Sequence, residues 1–194
     1  MDKINKIFGI GLSRTGTKSL TAALKKLGFK IAHYPTDRKT YQELITNRND
    51  FSLLKNFDGI TDITVVPYFV QLDNKYPNSK FILTGRDKES WLLSMKKHFK
   101  YNKISEKRPY FLTERKIRKF LRAAVYGCYS FNRERLSDAY DFHMNSAVNY
   151  FKSRPASFLE IKITEGEGWE KLGPFLDKQI LLEPFPRILN KADL

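Results

Sequence analysis

The stretch from Phe8 to Leu20, FGIGLSRTGTKSL, decides the fold of this chain. A short apolar run enters a turn that contains Gly11 and Gly16, and the turn leads into apolar positions that recur at helical spacing. This arrangement gathers backbone N–H groups at a helix N-terminus, where the partial positive charge favours a phosphate or a sulfate. The stretch therefore predicts an anion site; a plain strand-to-helix turn without a ligand is the alternative.

The turn differs from the P-loop of nucleotide hydrolases, in which Gly, four residues and a second Gly precede Lys and then Ser or Thr. Gly11 and Gly16 have that separation, but Thr17 occupies the lysine position, and Lys18 and Ser19 come one residue late. On a helix, one residue rotates a side chain by about 100°. We therefore expect phosphate binding here, and a small magnesium-dependent kinase is the less favoured enzyme class.

Residues 13–17, SRTGT, resemble the loop of sulfotransferases that holds the 5′-phosphosulfate of their donor, 3′-phosphoadenosine 5′-phosphosulfate. The resemblance implies a donor-binding set that consists of Arg14, Thr15, Gly16, Thr17, Lys18 and Ser19. Arg14 stands where the family carries its catalytic lysine, which is a departure from the pattern. A guanidinium stays charged, so it can stabilise the leaving oxygen but is a poor proton donor.

A second element, residues 80–94, offers a second place for negative charge. Its β-prone run KFILT ends in Gly85-Arg86 and opens a helix. This element also resembles the sulfotransferases, in which an arginine after a strand and a serine eight residues later bind the 3′-phosphate of the donor. Arg86 and Ser94 have that separation, and a guanidinium fork with a hydroxyl suits a phosphate. The alternative is a surface arginine before an Asp-capped helix.

The C-terminal part, with GEGWEKL from residue 166 and PFP from residue 184, is similar to one branch of sulfotransferase-like proteins. Asn190 fits the last position of that pattern. Trp169, Leu172 and Phe175 form an apolar stripe, so this part reads as structural.

Strand and helix patterns alternate along the chain, which predicts a single α/β domain over residues 1–194. We expect a three-layer, P-loop-like fold with a mainly parallel sheet covered by helices. The expected strands are 6–11, 30–34, 59–63, 80–86 and 157–163. The expected helices are 16–28, 39–47, 66–75, 88–99, 113–129, 133–151 and 167–176. Ligands of such sheets gather at the carboxyl ends of the strands.

The general base is the least determined part of the expected site. Sulfotransferases take it from the ends of different strands, and this chain offers Asp62 and His33 at two strand ends. With Arg14 they are the catalytic candidates. Asp62 could instead cap a helix, and His33 could satisfy backbone groups. We expect His98 at the surface and His143 in the core.

The chain has a formal net charge of +14, and segment 95–122 carries eleven Lys and Arg against two Glu. Interleaved aromatic residues accompany these charges. The segment predicts an anionic acceptor or an anionic membrane surface; a solvated basic face is the alternative. We expect no nucleic acid as a partner, since no recognised binding signature is present. The acceptor itself remains open among small molecules, lipids and carbohydrates.

Cys128 is the single cysteine, which excludes an intramolecular disulfide and a zinc cluster. We expect no metal in the reaction. The sequence begins without an apolar leader and has no apolar run of membrane-spanning length, so the cytoplasm is the expected compartment. A non-catalytic anion-binding or membrane-associated module on the same fold is the main alternative to an enzyme.

Overall fold

A parallel sheet of five strands organises the chain, in the order β2-β3-β1-β4-β5. The computed structural model describes residues 5–48, 50–102, 104 and 112–188. The strands are β1 Ile7–Gly9, β2 Ile31–His33, β3 Gly59–Thr61, β4 Lys80–Thr84 and β5 Phe158–Ile161. The helices are α1 Thr17–Lys26, α2 Arg38–Ile45, α3 Phe69–Lys75, α4 Lys88–Tyr101, α5 Leu112–Tyr126, α6 Arg133–Phe151 and α7 Trp169–Phe175.

Helices cover both faces of the sheet. Neighbouring residues of each strand point to opposite faces, so each face carries its own set of buried side chains. Ile7 of β1 and Ile82 of β4 belong to one apolar cluster, with side chains of α1 and α7. Phe8 and Phe81 belong to the other, larger cluster, which the remaining helices complete. Burial of each such side chain contributes about 1.5–3 kcal/mol. The expected three-layer α/β architecture is confirmed.

The observed helices differ from the expected ones mainly at their C-terminal ends. The helix expected over 16–28 stops at Lys26, and Gly28 follows with a φ of 90°. The helix expected over 113–129 stops at Tyr126, before Gly127 with a φ of 64°. A glycine in the left-handed region ends a helix without steric cost. The strand expected over 80–86 ends at Thr84, which leaves Arg86 in the following turn.

The first turn of α1 differs from those of α2, α4 and α6. Asp37, Asp87 and Asn132 cap α2, α4 and α6 through side-chain hydrogen bonds to backbone N–H groups. The N-cap of α1 is Gly16, in the left-handed conformation, and glycine has no side chain with which to cap the helix. The N-terminus of α1 is thus open to an external acceptor of hydrogen bonds.

None of the helices in the described ranges is long and apolar enough to cross a membrane.

Gly11 is required by close packing between the loop after β1 and the end of β4. A Cβ at Gly11 would lie 1.8 Å from Thr84 Oγ1 and 2.9 Å from Thr15 Oγ1. We expect Gly11→Ala to lower the free energy of unfolding by about 1–3 kcal/mol, measured by urea denaturation. Gly85→Ala is the matched control, because its Cβ would meet no atom closer than 3.5 Å. Equal stability of the two variants would contradict this packing.

Candidate active site

A cavity of about 1020 Å³ lies where the loops after β1, β2, β3 and β4 meet. Its wall is formed by the loop between β1 and α1, by the last turn of α4, by one side of α5 and by part of the C-terminal segment. This is the edge at which parallel sheets bind ligands. Its size is that of a small-molecule site.

The buried carboxylate of Asp62 holds the loop after β1 in place. Asp62 directly follows β3 and is 6% exposed. Its Oδ1 accepts hydrogen bonds from Ser13 Oγ at 2.7 Å and from the backbone N–H of Ile63 at 2.7 Å. Its Oδ2 accepts a hydrogen bond from Thr17 Oγ1 at 2.6 Å. Asp62 therefore ties both ends of the loop to the tip of β3, a role that sequence spacing did not suggest.

Thr15 connects the loop after β1 to the end of β4. Its side chain is fully buried, and its Oγ1 donates to the carbonyl oxygen of Leu12 at 2.6 Å. The same oxygen lies 2.5 Å from Thr84 Oγ1 at the end of β4. Gly16, Thr17, Lys18 and Ser19 line the cavity with Ser13 and Arg14. The backbone N–H of Thr15 also donates to the carbonyl oxygen of Leu12, at 3.3 Å, so the hydroxyl and the N–H of this residue both make contacts within the protein.

The two arginines expected at opposite ends of the donor lie close together. Arg14 Nε donates to Ser94 Oγ at 2.9 Å, and Arg86 Nε donates to Ser90 Oγ at 2.9 Å. Arg86 Nη1 also donates to the carbonyl oxygen of Arg14 at 3.2 Å. Both arginines line the cavity. The structure thus brings Arg86 to the glycine turn, while Ser94 contacts Arg14 and Ser90 contacts Arg86.

The C-terminal segment returns to the first turn of α1. The backbone N–H of Ile188 donates to Ser19 Oγ at 2.9 Å, and Arg187 lines the cavity. Trp169 and Phe185 hold this segment, with ring centroids 4.7 Å apart. Arg187 was not among the residues predicted for the site. The one sequence feature that could have pointed to it is its position directly after the PFP stretch. Asn190, the last position of the family pattern, lies outside the described residues.

Two histidines line the cavity and are neutral at pH 7. His33 Nδ1 lies 3.1 Å from Thr61 Oγ1, and its Nε2 lies 3.7 Å from Asp62 Oδ2. Burial lowers the pKa of His33, although Asp62 opposes this effect. Burial also lowers the pKa of His98 to about 4, and the charges of Arg122 and Arg14 add to the shift. Neutral imidazoles can accept a proton from an acceptor hydroxyl.

The expectation that His98 is exposed at the surface is wrong. His98 is partly buried and faces the cavity, because α5 packs beside the last turn of α4. The expectation for His143 is confirmed: it is 6% exposed, and its Nε2 lies 2.6 Å from the carbonyl oxygen of Ile10.

The basic segment 95–122 divides between the cavity and the surface. Lys97, Arg118 and Arg122 line the cavity, whereas the side chains of Lys96 and Lys119 are exposed. Residues 103 and 105–111 of this segment lie outside the described part of the chain. The sequence predicted the charge of the segment but not its division. An anionic membrane surface as partner stays a prediction.

The charge balance of the cavity is strongly positive. The described residues that line it include seven Lys and Arg and two carboxylates, of which Asp62 is held by the loop and Glu114 pairs with Arg118. The pKa of Tyr34 is raised to about 12 by burial and by Asp62, so this hydroxyl stays protonated. A cavity with this balance favours anionic ligands. Among the described residues, no group of three or more His, Cys, Asp or Glu is placed to hold a metal ion.

Three non-glycine residues at this site have a positive φ. Arg14 has a φ of 75°, Tyr34 of 45° and Asp62 of 77°. Each follows a strand and lines the cavity. Such conformations cost of order 1 kcal/mol or more and persist where neighbouring contacts hold them, which is common at functional sites.

The fold and the site together define a P-loop-like α/β protein in which the loop after the first strand lines a strongly positive cavity. A family model described as the sulfotransferase domain matches residues 6–194. The chain belongs to this sulfotransferase family.

The chain is also similar to the Ava biosynthesis cluster protein M of Aspergillus versicolor. The two are 32% identical over 107 residues, in an alignment that covers 46% of this chain and 41% of that protein. The match thus spans less than half of the relative.

The low pKa of His98 makes folding sensitive to acid. Because the folded-state pKa of about 4 lies below the ordinary 6.5, the unfolded chain binds this proton first as the pH falls. Stability should therefore decline between pH 6.5 and pH 4, and His98→Gln should remove about 2 kcal/mol of that decline, after allowance for partial exposure. Urea denaturation of both proteins across this range measures the difference. His33 and His143 are present in both, so parallel pH curves would contradict the assignment.

Proposed function

We propose that this protein transfers a sulfuryl group from 3′-phosphoadenosine 5′-phosphosulfate to a hydroxyl, or an amine, of a small-molecule, lipid or carbohydrate acceptor. The observation that carries the proposal is the meeting of the anion-binding loop and Arg86 in one cavity. A ligand with a phosphate at each end of an adenosine needs two such places within a single site. A cytoplasmic location remains a prediction.

The residues of the cavity fit the donor. The uncapped N-terminus of α1 offers backbone N–H groups, and the positive end of the helix dipole favours an anion there. Lys18 and Ser19 of the first turn line the same wall. Arg86, in the turn after β4, is suited to the 3′-phosphate, because a guanidinium binds phosphate oxygens in pairs. When bound, the donor supplies the sulfuryl group and leaves as adenosine 3′,5′-bisphosphate.

Arg14 supplies electrostatic stabilisation in this proposal. Its guanidinium lies in the loop and is held by Ser94, so a fixed positive charge faces the oxygen that gains negative charge on transfer. A guanidinium is a poor proton donor. The departing bisphosphate is therefore stabilised by charge and hydrogen bonds alone. Arginine in place of the family's lysine therefore affects the rate of transfer, because both side chains carry the positive charge that donor binding uses.

His33 fits the role of general base better than Asp62. The two carboxylate oxygens of Asp62 already accept hydrogen bonds from Ser13, Thr17 and Ile63. His33 is neutral because burial lowers its pKa, and its Nε2 lies 3.7 Å from Asp62. Its Nδ1 lies 3.1 Å from Thr61 Oγ1 and 3.2 Å from Thr21 Oγ1, so Nε2 is the nitrogen that takes up the proton, and the nearby carboxylate stabilises the resulting cation. Asp62 then positions both the loop and His33.

A non-catalytic anion-binding module remains the second candidate. The observation that favours it is Arg14 in the place of the family's catalytic lysine. This candidate predicts donor binding without transfer to any acceptor, and vesicle binding that charge reversal at Lys96, Lys97 and Lys100 abolishes. A kinase is disfavoured, because Thr17 occupies the lysine position of the P-loop and bonds to Asp62.

Isothermal titration calorimetry tests donor recognition. We expect adenosine 3′,5′-bisphosphate to bind with a micromolar Kd and Arg86→Ala to weaken it about 10–100-fold, because hydrogen bonds to a charged group are lost. Arg133→Ala is the matched control, since Arg133 forms a surface ion pair with Glu89 on α4. Undetectable binding to the unaltered protein would reject the donor, and equal weakening by both variants would reject the role of Arg86.

Separate substitutions at His33 and Asp62 test the assignment of the base. We expect His33→Gln to lower the rate of sulfuryl transfer about 10²-fold or more while the Kd for adenosine 3′,5′-bisphosphate stays unchanged. Asp62→Asn should weaken binding as well as rate, because the loop loses its anchor. Transfer from isotopically labelled donor and calorimetry give the two readouts. An unchanged rate in His33→Gln would exclude His33, and a loss of rate alone in Asp62→Asn would make Asp62 the base.

A further inference from the structure

Arg122 is a buried cation in the wall of the cavity. It lies on α5 and is 2% exposed. Its Nη1 donates to the carbonyl oxygen of Tyr129 at 3.1 Å, and its Nη2 donates to that of Asn102 at 2.8 Å. Its guanidinium carbon lies 4.1 Å from the centroid of the Phe99 ring. All of these contacts are neutral.

No carboxylate in the described part of the chain forms an ion pair with Arg122. Glu114, the carboxylate on the same side of α5, pairs with Arg118 instead. Burial, and after it the charge of Arg118, lower the pKa of Arg122 to about 10, so the guanidinium remains charged at neutral pH. A charge buried without a counter-ion is costly, and an anionic ligand in the adjoining cavity would offset that cost.

The position of Arg122 is set by α5, whose last residue, Tyr126, contacts the donor loop. The hydroxyl of Tyr126 accepts a hydrogen bond from the backbone N–H of Ser13 at 3.2 Å. Arg122 lies one helical turn before Tyr126, which corresponds to about 6 Å along the helix. His98 is close enough to feel the charges of both Arg14 and Arg122. Arg122 therefore belongs to the part of the cavity that the donor loop leaves for the acceptor.

We infer that the acceptor carries a carboxylate that pairs with Arg122, on the same molecule as the hydroxyl that receives the sulfuryl group. This inference rests on the proposed function and names the class of its acceptor: a small hydroxylated acid. A guanidinium binds a carboxylate through two parallel hydrogen bonds and discriminates against neutral analogues. Lys97, which also lines the cavity, adds to the attraction of the acid.

Matched acceptor pairs test this inference. The probes are 3-(4-hydroxyphenyl)propanoate and 6-hydroxyhexanoate, each compared with its own carboxamide, in transfer assays with isotopically labelled donor. We expect kcat/KM to be about thirty-fold or more higher for at least one acid than for its amide. Arg122→Gln should reduce this preference to near one, mainly by raising KM for the acid. Arg122→Lys keeps the charge and should retain part of the preference.

Lys119→Gln is the control, because Lys119 is an exposed cation on the same helix; it should leave the preference unchanged. A structural role of Arg122 would lower kcat/KM for acid and amide alike, and that outcome overturns the inference. The inference is also overturned if kcat/KM is equal for the acid and the amide of each pair, or if neither acid is an acceptor. Calorimetry with adenosine 3′,5′-bisphosphate distinguishes failure of this inference from failure of the proposed function. If the bisphosphate does not bind to the unaltered protein, the proposed function itself is wrong.

Discussion

The buried carboxylate of Asp62 is the contact on which the rest of the site depends. It joins Ser13 and Thr17, the two sides of the loop after β1, to the tip of β3. The loop then exposes the N-terminus of α1 and places Arg14 against the turn that carries Arg86. Because a buried charge needs several hydrogen bonds, Asp62 fixes the geometry of the loop more firmly than neutral contacts would.

The fixed loop has an electrostatic consequence for the whole cavity. Asp62 is committed to the loop and Glu114 to Arg118, so the cations of the wall outnumber the carboxylates that could neutralise them. The same burial that concentrates these charges keeps His33 and His98 neutral. The proposed anion binding and proton acceptance thus draw on one arrangement of buried groups, and sulfuryl transfer to a hydroxyl requires both.

Local patterns in the sequence predicted the α/β fold, the loop between β1 and α1 and the approach of Arg86 to it, because all of these follow from strand–turn–helix units of a parallel sheet. The positions of His98, Arg122 and Arg187 depend instead on contacts between distant segments: α5 packs beside α4, and the C-terminal segment returns to α1. Spacing also could not assign side-chain partners. Ser94 and Arg86 have the expected separation, yet their hydrogen bonds go to Arg14 and Ser90.

The most direct measurement is a crystal structure of the protein with adenosine 3′,5′-bisphosphate. The account predicts one molecule in the cavity, with its 5′-phosphate on the backbone N–H groups at the start of α1 and its 3′-phosphate on the guanidinium of Arg86. Density for the nucleotide elsewhere on the protein, or in the cavity with neither phosphate at these groups, would contradict the claim that the two places bind one donor.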